Sequence, residues 1–173
     1  MASIILTGPP GVGKTTIVMD VAQKLKERGI KVGGVVSREV RTNNVRTGFE
    51  FIDLDTNDRG VLASVTENGP RVGKYFVNLI GCRFAAERLK NALINSDVIV
   101  CDEIGPMELK SKDFIDAASN LLRTDGKVIV VIHQKLEHPL IIEFREKSSS
   151  LISVNLGNRE KVAKILLDEL SCL

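Results

Sequence analysis

The chain has 173 residues, 43% of them hydrophobic and 27% charged, with a formal net charge of +2. That length suits one domain with a substantial core. The balanced charge argues against a dedicated nucleic-acid binder, and no apolar run approaches the roughly eighteen residues of a membrane span.

The first predicted strand is the apolar run Ser3-Ile4-Ile5-Leu6-Thr7. It starts so early that no signal or transit peptide is expected before it. Gly8-Pro9-Pro10-Gly11-Val12-Gly13-Lys14-Thr15 follows. Each residue type in this run answers a demand of polyphosphate binding. Gly8, Gly11 and Gly13 let the backbone wrap a charged group with its N–H groups inward. Lys14 can bring a flexible ammonium to the β- and γ-phosphates, and the Thr15 hydroxyl suits Mg²⁺. The amphipathic helix predicted over 14–28, stopped by Gly29, adds its partial positive end. The whole loop is expected to bind nucleotide, with Pro9, Pro10, Val12 and Thr16 included.

A second strand is predicted over 32–38. From 39 to about 80 the pattern changes to alternation. Val45–Leu54 and Gly60–Val65 flank the polar turn Asp55-Thr56-Asn57-Asp58 and predict an antiparallel hairpin or meander on one edge of the sheet. Residues 71–77 predict a further short strand. Arg38, Arg41, Arg46 and Lys74 lie in this irregular segment. Singly each reads as a surface charge; as a set, one of them is expected to contact phosphate, and the sequence does not select which.

A helix over 82–95 leads to a strand over 97–101, which ends in Asp102-Glu103. An apolar strand ending in this pair has the form of a Walker B element: Asp102 for Mg²⁺, through water, and Glu103 to polarise an attacking water. The motif is weak alone and gains weight from the phosphate loop upstream. After a helix over 111–123, the strand 127–132 is expected to lie between the first strand and the Asp-Glu strand. It ends in His133, read either as a capping or surface residue or as a sensor of the γ-phosphate. A helix over 139–147, a strand over 151–155 and a helix over 158–171 complete the chain. Asn155, Asn158 and Arg159 then fall at the carboxyl edge of the sheet, where nucleotides bind in open α/β folds. Arg159 is a candidate to stack on a base or pair with a carboxylate, and Asn158 is equally explained as an N-cap. Aromatic content of only 4% agrees with weak base discrimination.

Near-continuous apolar strands between helices predict an α/β protein: a mostly parallel central sheet flanked by helices, with an antiparallel hairpin extension around 39–80. The three cysteines, Cys82, Cys101 and Cys172, lack CxxC spacing and read as reduced thiols of a cytoplasmic protein, Cys101 as packing. His133 and His138 are too few to build a metal site.

The run Asp102-Glu103-Ile104-Gly105-Pro106-Met107-Glu108-Leu109 resembles the signature of the small thermostable nucleoside-triphosphatases, a family also known through a human cancer-related NTPase. Residues 33–41, Arg46-Thr47-Gly48-Phe49, Val72-Gly73-Lys74-Tyr75 and Asn158-Arg159 are similar to further family segments, in order along the whole chain. The resemblance implies a RecA-like P-loop fold over 1–173. It also implies slow Mg²⁺-dependent hydrolysis of several nucleoside triphosphates to diphosphate and phosphate, with broad base tolerance. Pro106 departs from the family, which usually carries Lys or Arg there; Lys110 and Lys112 are nearby substitutes.

Two rival readings stand beside hydrolysis. A nucleotide or small-molecule kinase needs an acceptor pocket and usually an arginine-bearing lid, and no Arg-rich lid is visible between the fourth and fifth principal strands. A nucleotide-dependent switch or adaptor would use slow hydrolysis to time the release of a partner, whose identity the sequence leaves open. Nucleic-acid binding through Arg38, Arg41, Arg46 and Arg71 is a minor alternative.

Overall fold

The computed structural model describes residues 3–171, so Cys172 lies outside them. In chain order the elements are β1 (Ser3–Thr7), α1 (Lys14–Glu27), β2 (Val32–Thr42), β3 (Val45–Asp53), β4 (Arg59–Ser64), β5 (Arg71–Val72) and β6 (Tyr75–Val77). There follow α2 (Leu79–Asn95), β7 (Val98–Ile104), α3 (Lys112–Asn120), β8 (Lys127–Ile132), α4 (Pro139–Lys147), β9 (Ser150–Ser153) and α5 (Arg159–Ser171). The described strands form one sheet in the order β5-β6-β4-β3-β2-β7-β8-β1-β9. The run from β2 to β9 is parallel, and β3 to β6 add an antiparallel extension beyond β2. As expected, β8 lies between β1 and β7.

The central strands are apolar on both faces because both faces are covered. Successive side chains alternate. Ile4 and Leu6, Val98 and Val100, and Ile129 and Val131 pack with Ile17, Val21 and Leu25 of α1 and Val162, Leu166 and Leu170 of α5. Ile5, Ile99, Cys101, Val128 and Val130 pack on the other side with Leu89 of α2, Phe114 of α3 and Phe144 of α4. Each such side chain, fully buried, contributes about 1.5–3 kcal/mol. Cys101 is packing, as the sequence suggested. No helix among the described residues is long and apolar enough to cross a membrane.

The extension is larger than the sequence pattern indicated. β2 does not stop near residue 38 but continues to Thr42 and turns directly into β3. Asn43 and Asn44, both at positive φ (50° and 63°), make the two-residue turn. Asparagine tolerates that conformation, and such a turn matches the twist of a hairpin. The strand predicted over 71–77 is two short strands folded about Gly73. α2 starts at Leu79, three residues earlier than predicted, because the Asn78 side chain accepts a hydrogen bond from the Gly81 N–H and caps it.

Candidate active site

The phosphate loop joins the carboxyl end of β1 to α1. Gly13 holds φ at 100° at the helix start, where a left-handed backbone excludes most side chains. No side chain caps this end of α1, and no acidic residue lies in its first turn. The first-turn N–H groups and the positive end of the helix dipole are left for an anion. Lys14 is 7% exposed, and its ammonium donates to the carbonyls of Gly8 (2.9 Å) and Pro9 (3.0 Å), folding back across the loop. Val12 points the other way: its side chain is buried in the core beneath the loop, and its N–H donates to the Pro9 carbonyl at 3.3 Å.

β7 brings the acid pair alongside. Asp102 is buried, and its Oδ2 has no hydrogen-bond partner among the described residues. Burial pushes its carboxyl up to about 7; the Thr15 hydroxyl pulls it down, Glu103 raises it and the Lys14 ammonium lowers it. An orphaned buried carboxylate oxygen beside a threonine hydroxyl is a hard-oxygen donor set that fits Mg²⁺. The register of β7 against β8 slips between Asp102 and Ile104, so Glu103 sits in a bulge. Bulges re-aim side chains, and Glu103 is partly exposed to the same space as Lys14. Burial raises its carboxyl, while Lys14 and then His133 pull it down.

Three cavities surround the loop. A chamber of about 630 Å³ on the β2 side is lined by Lys14, Thr15, Thr16 and Glu103, together with Arg38, Glu39, Arg46, Pro106 and Glu108. A narrower cleft of about 210 Å³ holds Gly8, Lys14 and Glu103 with His133, Gln134 and Lys135. On the β9 side, about 540 Å³ opens between Pro9–Val12 and Asn155–Gly157.

The predicted residues divide among these places. Arg46 lines the chamber from the β2–β3 hairpin. It donates to Tyr75 Oη (2.9 Å) and Glu39 (2.8 Å), and its guanidinium lies over the rings of Phe49 and Tyr75 at 5.5 and 5.9 Å. Arg38 also lines it, paired with Glu50 at 2.8 Å. Arg41 pairs with Glu39, and Lys74 lies over the Tyr75 ring; neither lines the chamber. Nor do Lys110 and Lys112, the expected substitutes at Pro106. Lys112 faces solvent, paired with Asp116. His133 stands at the cleft, its Nδ1 accepting from the Lys135 N–H at 3.3 Å.

At the β9 edge the Asn158 side chain is turned onto its own loop. Its Oδ1 accepts from the Asn155 N–H and its Nδ2 donates to the Ser153 carbonyl, both at 2.8 Å. Both ends of the amide hold the 153–158 loop in shape. Arg159, by contrast, reaches the phosphate loop: a methyl on Gly13 would lie 3.3 Å from its Nη1.

Sequence reasoning missed Glu108. It is 4% exposed and accepts from the Gly105 N–H at 3.2 Å. Burial, then the nearby Glu103 charge, pushes its carboxyl up to about 8. A methyl on Gly105 would sit 2.8 Å from Glu103 Oε1 and 3.1 Å from Glu108 Oε2, so both acids press on one backbone position. Glu108 stands in the quoted run after Asp102, but the single 3-10 turn at Glu108–Lys110 that folds it back leaves no periodic signal.

A mostly parallel sheet with the phosphate loop after β1 and an acid pair near the carboxyl end of β7 has the form of a P-loop nucleoside triphosphatase. The family model described as NTPase matches residues 3–167. Nucleoside-triphosphatase THEP1 of Methanosarcina acetivorans is 44% identical over 164 residues, covering 94% of this chain and 93% of the relative. The crystal structure of THEP1 from the hyperthermophile Aquifex aeolicus superposes with a TM-score of 0.84 at 32% identity, covering 97% of this chain and 98% of that one. The solution structure of a human cancer-related nucleoside triphosphatase gives 0.80 at 35% identity, with 99% and 97% covered. The chain belongs to this NTPase family.

Proposed function

We propose that the protein hydrolyses nucleoside 5′-triphosphates to diphosphate and phosphate, with Mg²⁺ and with little preference for the base. The observation that carries this reading is that Lys14, Thr15 and Glu103 line one space, with Asp102 buried directly behind them and within reach of all three. The loop backbone and Lys14 bind the β- and γ-phosphates, Lys14 exchanging its carbonyl partners for phosphate oxygens. Thr15 and Asp102 would hold Mg²⁺, which when bound neutralises charge on the phosphates. Glu103, partly exposed and close to Lys14 and His133, takes a proton from the attacking water. Arg46 supplies a cation to the phosphates from the hairpin, filling the part that Pro106 cannot.

The nucleoside lies on the β9 side, with Arg159 above Gly13. The Asn155 side-chain oxygen accepts from the Gly157 N–H, and the Asn158 amide makes one bond through its oxygen and one through its nitrogen to the loop. Those bonds leave fewer side-chain groups to read a base edge, which supports broad tolerance.

Glu103→Gln tests the assignment. It keeps nucleotide affinity and lowers phosphate release about 10²–10⁴-fold. Wild-type turnover by this variant would overturn the role of Glu103.

A further inference from the structure

Hydrolysis accounts for the end of the chamber lined by the phosphate loop, Gly11 and Gly13 to Thr16, and leaves its other walls unexplained. Water occupies roughly 30 Å³, and the small cleft already gives Glu103 and Lys14 a polar space beside His133 and Gln134. The chamber of about 630 Å³ shares the same Lys14 and Glu103 but differs in its walls. Met19, Phe49, Leu62, Val72, Pro106 and Met107 give it apolar lining, and Ser37, Arg38, Glu39 and Arg46 polar lining. The volume falls within the roughly 300–1,000 Å³ of cavities that bind organic ligands.

The sheet order decides which end of a nucleotide this chamber meets. β9, with the Asn155–Gly157 loop and Arg159, lies on one side of β1. β8, β7 and β2 lie on the other, carrying Glu103 and Arg38. A triphosphate with its nucleoside on the β9 side therefore points its terminal phosphate toward the chamber. The chamber is roofed by the β2–β3 hairpin bearing Arg38 and Arg46. The arginine-bearing cover that a kinase places late in the chain is here inserted after the second principal strand.

We propose, resting on the nucleotide orientation above, that this chamber binds a nucleoside and that the site transfers the terminal phosphoryl group to its hydroxyl. A nucleoside suits both kinds of lining. Its flat base can lie against the thioethers of Met19 and Met107 and the ring of Phe49, its polar edge toward Ser37 and Glu39. The hydroxyl oxygen bonds to the γ-phosphorus, and the bond from that phosphorus to the β,γ-bridging oxygen breaks. The electron pair leaves on the nucleoside diphosphate, and the hydroxyl proton passes to the Glu103 carboxylate. The products are a nucleoside diphosphate and a nucleoside monophosphate. Water is the substitute nucleophile when no nucleoside is bound.

The test uses the full chain with Mg²⁺ and ATP labelled on its γ-phosphate, alone and with adenosine, guanosine, cytidine, uridine or thymidine, resolving labelled phosphate from labelled monophosphate. Label is expected in the monophosphate of at least one nucleoside. Val72→Trp, which fills the chamber from β5, is expected to lower the ratio of monophosphate to phosphate about tenfold or more. Label in phosphate alone with all five nucleosides overturns the proposal and leaves hydrolysis standing, even where a nucleoside slows phosphate release. Transfer whose ratio is unchanged in a Val72→Trp variant of native circular dichroism overturns the chamber as the acceptor site. A chain that releases neither product overturns the hydrolysis reading as well.

Discussion

The guanidinium of Arg159 lies against the α-carbon of Gly13, so close that a methyl there would sit 3.3 Å from Nη1. This contact joins the start of the last helix to the start of the first, across the β1–β9 pair. It places a cation over the phosphate loop.

Arg159→Ala is expected to raise KM for ATP about tenfold, equivalent to ~1.4 kcal/mol of binding, with a smaller effect on kcat. Steady-state kinetics separate the two. A change in kcat alone would place Arg159 on the transferring group instead of on the bound nucleotide.

Lys14→Ala removes the ammonium from the loop and leaves the Gly8 and Pro9 carbonyls without that donor. Nucleotide affinity and turnover are both expected to fall, turnover by about 10²–10³-fold. Isothermal titration with a non-hydrolysable ATP analogue checks the binding half.

Mg²⁺ affinity is expected to rise with pH up to about 7, because a metal competes with the proton that burial favours on Asp102. Asp102→Asn should weaken binding and flatten that dependence. Titration of Mg²⁺ into the protein with a bound ATP analogue, at several pH values, reads both effects.

Glu108 gives stability a pH dependence of definite sign. Its carboxyl titrates at an ordinary 4.5 when unfolded and at about 8 when folded. Between these values only the folded chain holds the proton. The stabilisation present below pH 4.5 is therefore lost as pH rises toward about 8. Glu108→Gln keeps an acceptor for the Gly105 N–H and removes this loss, so it should raise Tm at pH 8 by about 2–4 °C or more. Asp102, raised in the same direction, leaves a residual slope. Thermal melts across pH check it; an unchanged slope would mean that Glu108 is ionised in the folded protein.

Much of the fold was legible because its signals are local. The β1 run, the glycine pattern of residues 8–13 and the strand ending at Asp102-Glu103 each lie within a few consecutive residues. Their periodicity and backbone demands act over the same short distance. The β2–β3 hairpin was less legible. Its exposed strands alternate weakly, and the Asn43-Asn44 turn depends on positive φ, which asparagine permits but does not require.

The sequence by itself determined a P-loop, a parallel sheet and a carboxylate pair for the same site, because contiguous residues carry each of these. Only the tertiary structure decided which cations reach the site and how its acids are charged. Arg46 is held by Glu39 and Tyr75, Arg159 rests on Gly13, and Asn158 is spent on its own loop. The carboxyls of Asp102 and Glu108 are raised by burial against neighbours from other elements. Such effects arise from desolvation and contacts between residues far apart in the chain, and no local pattern records them.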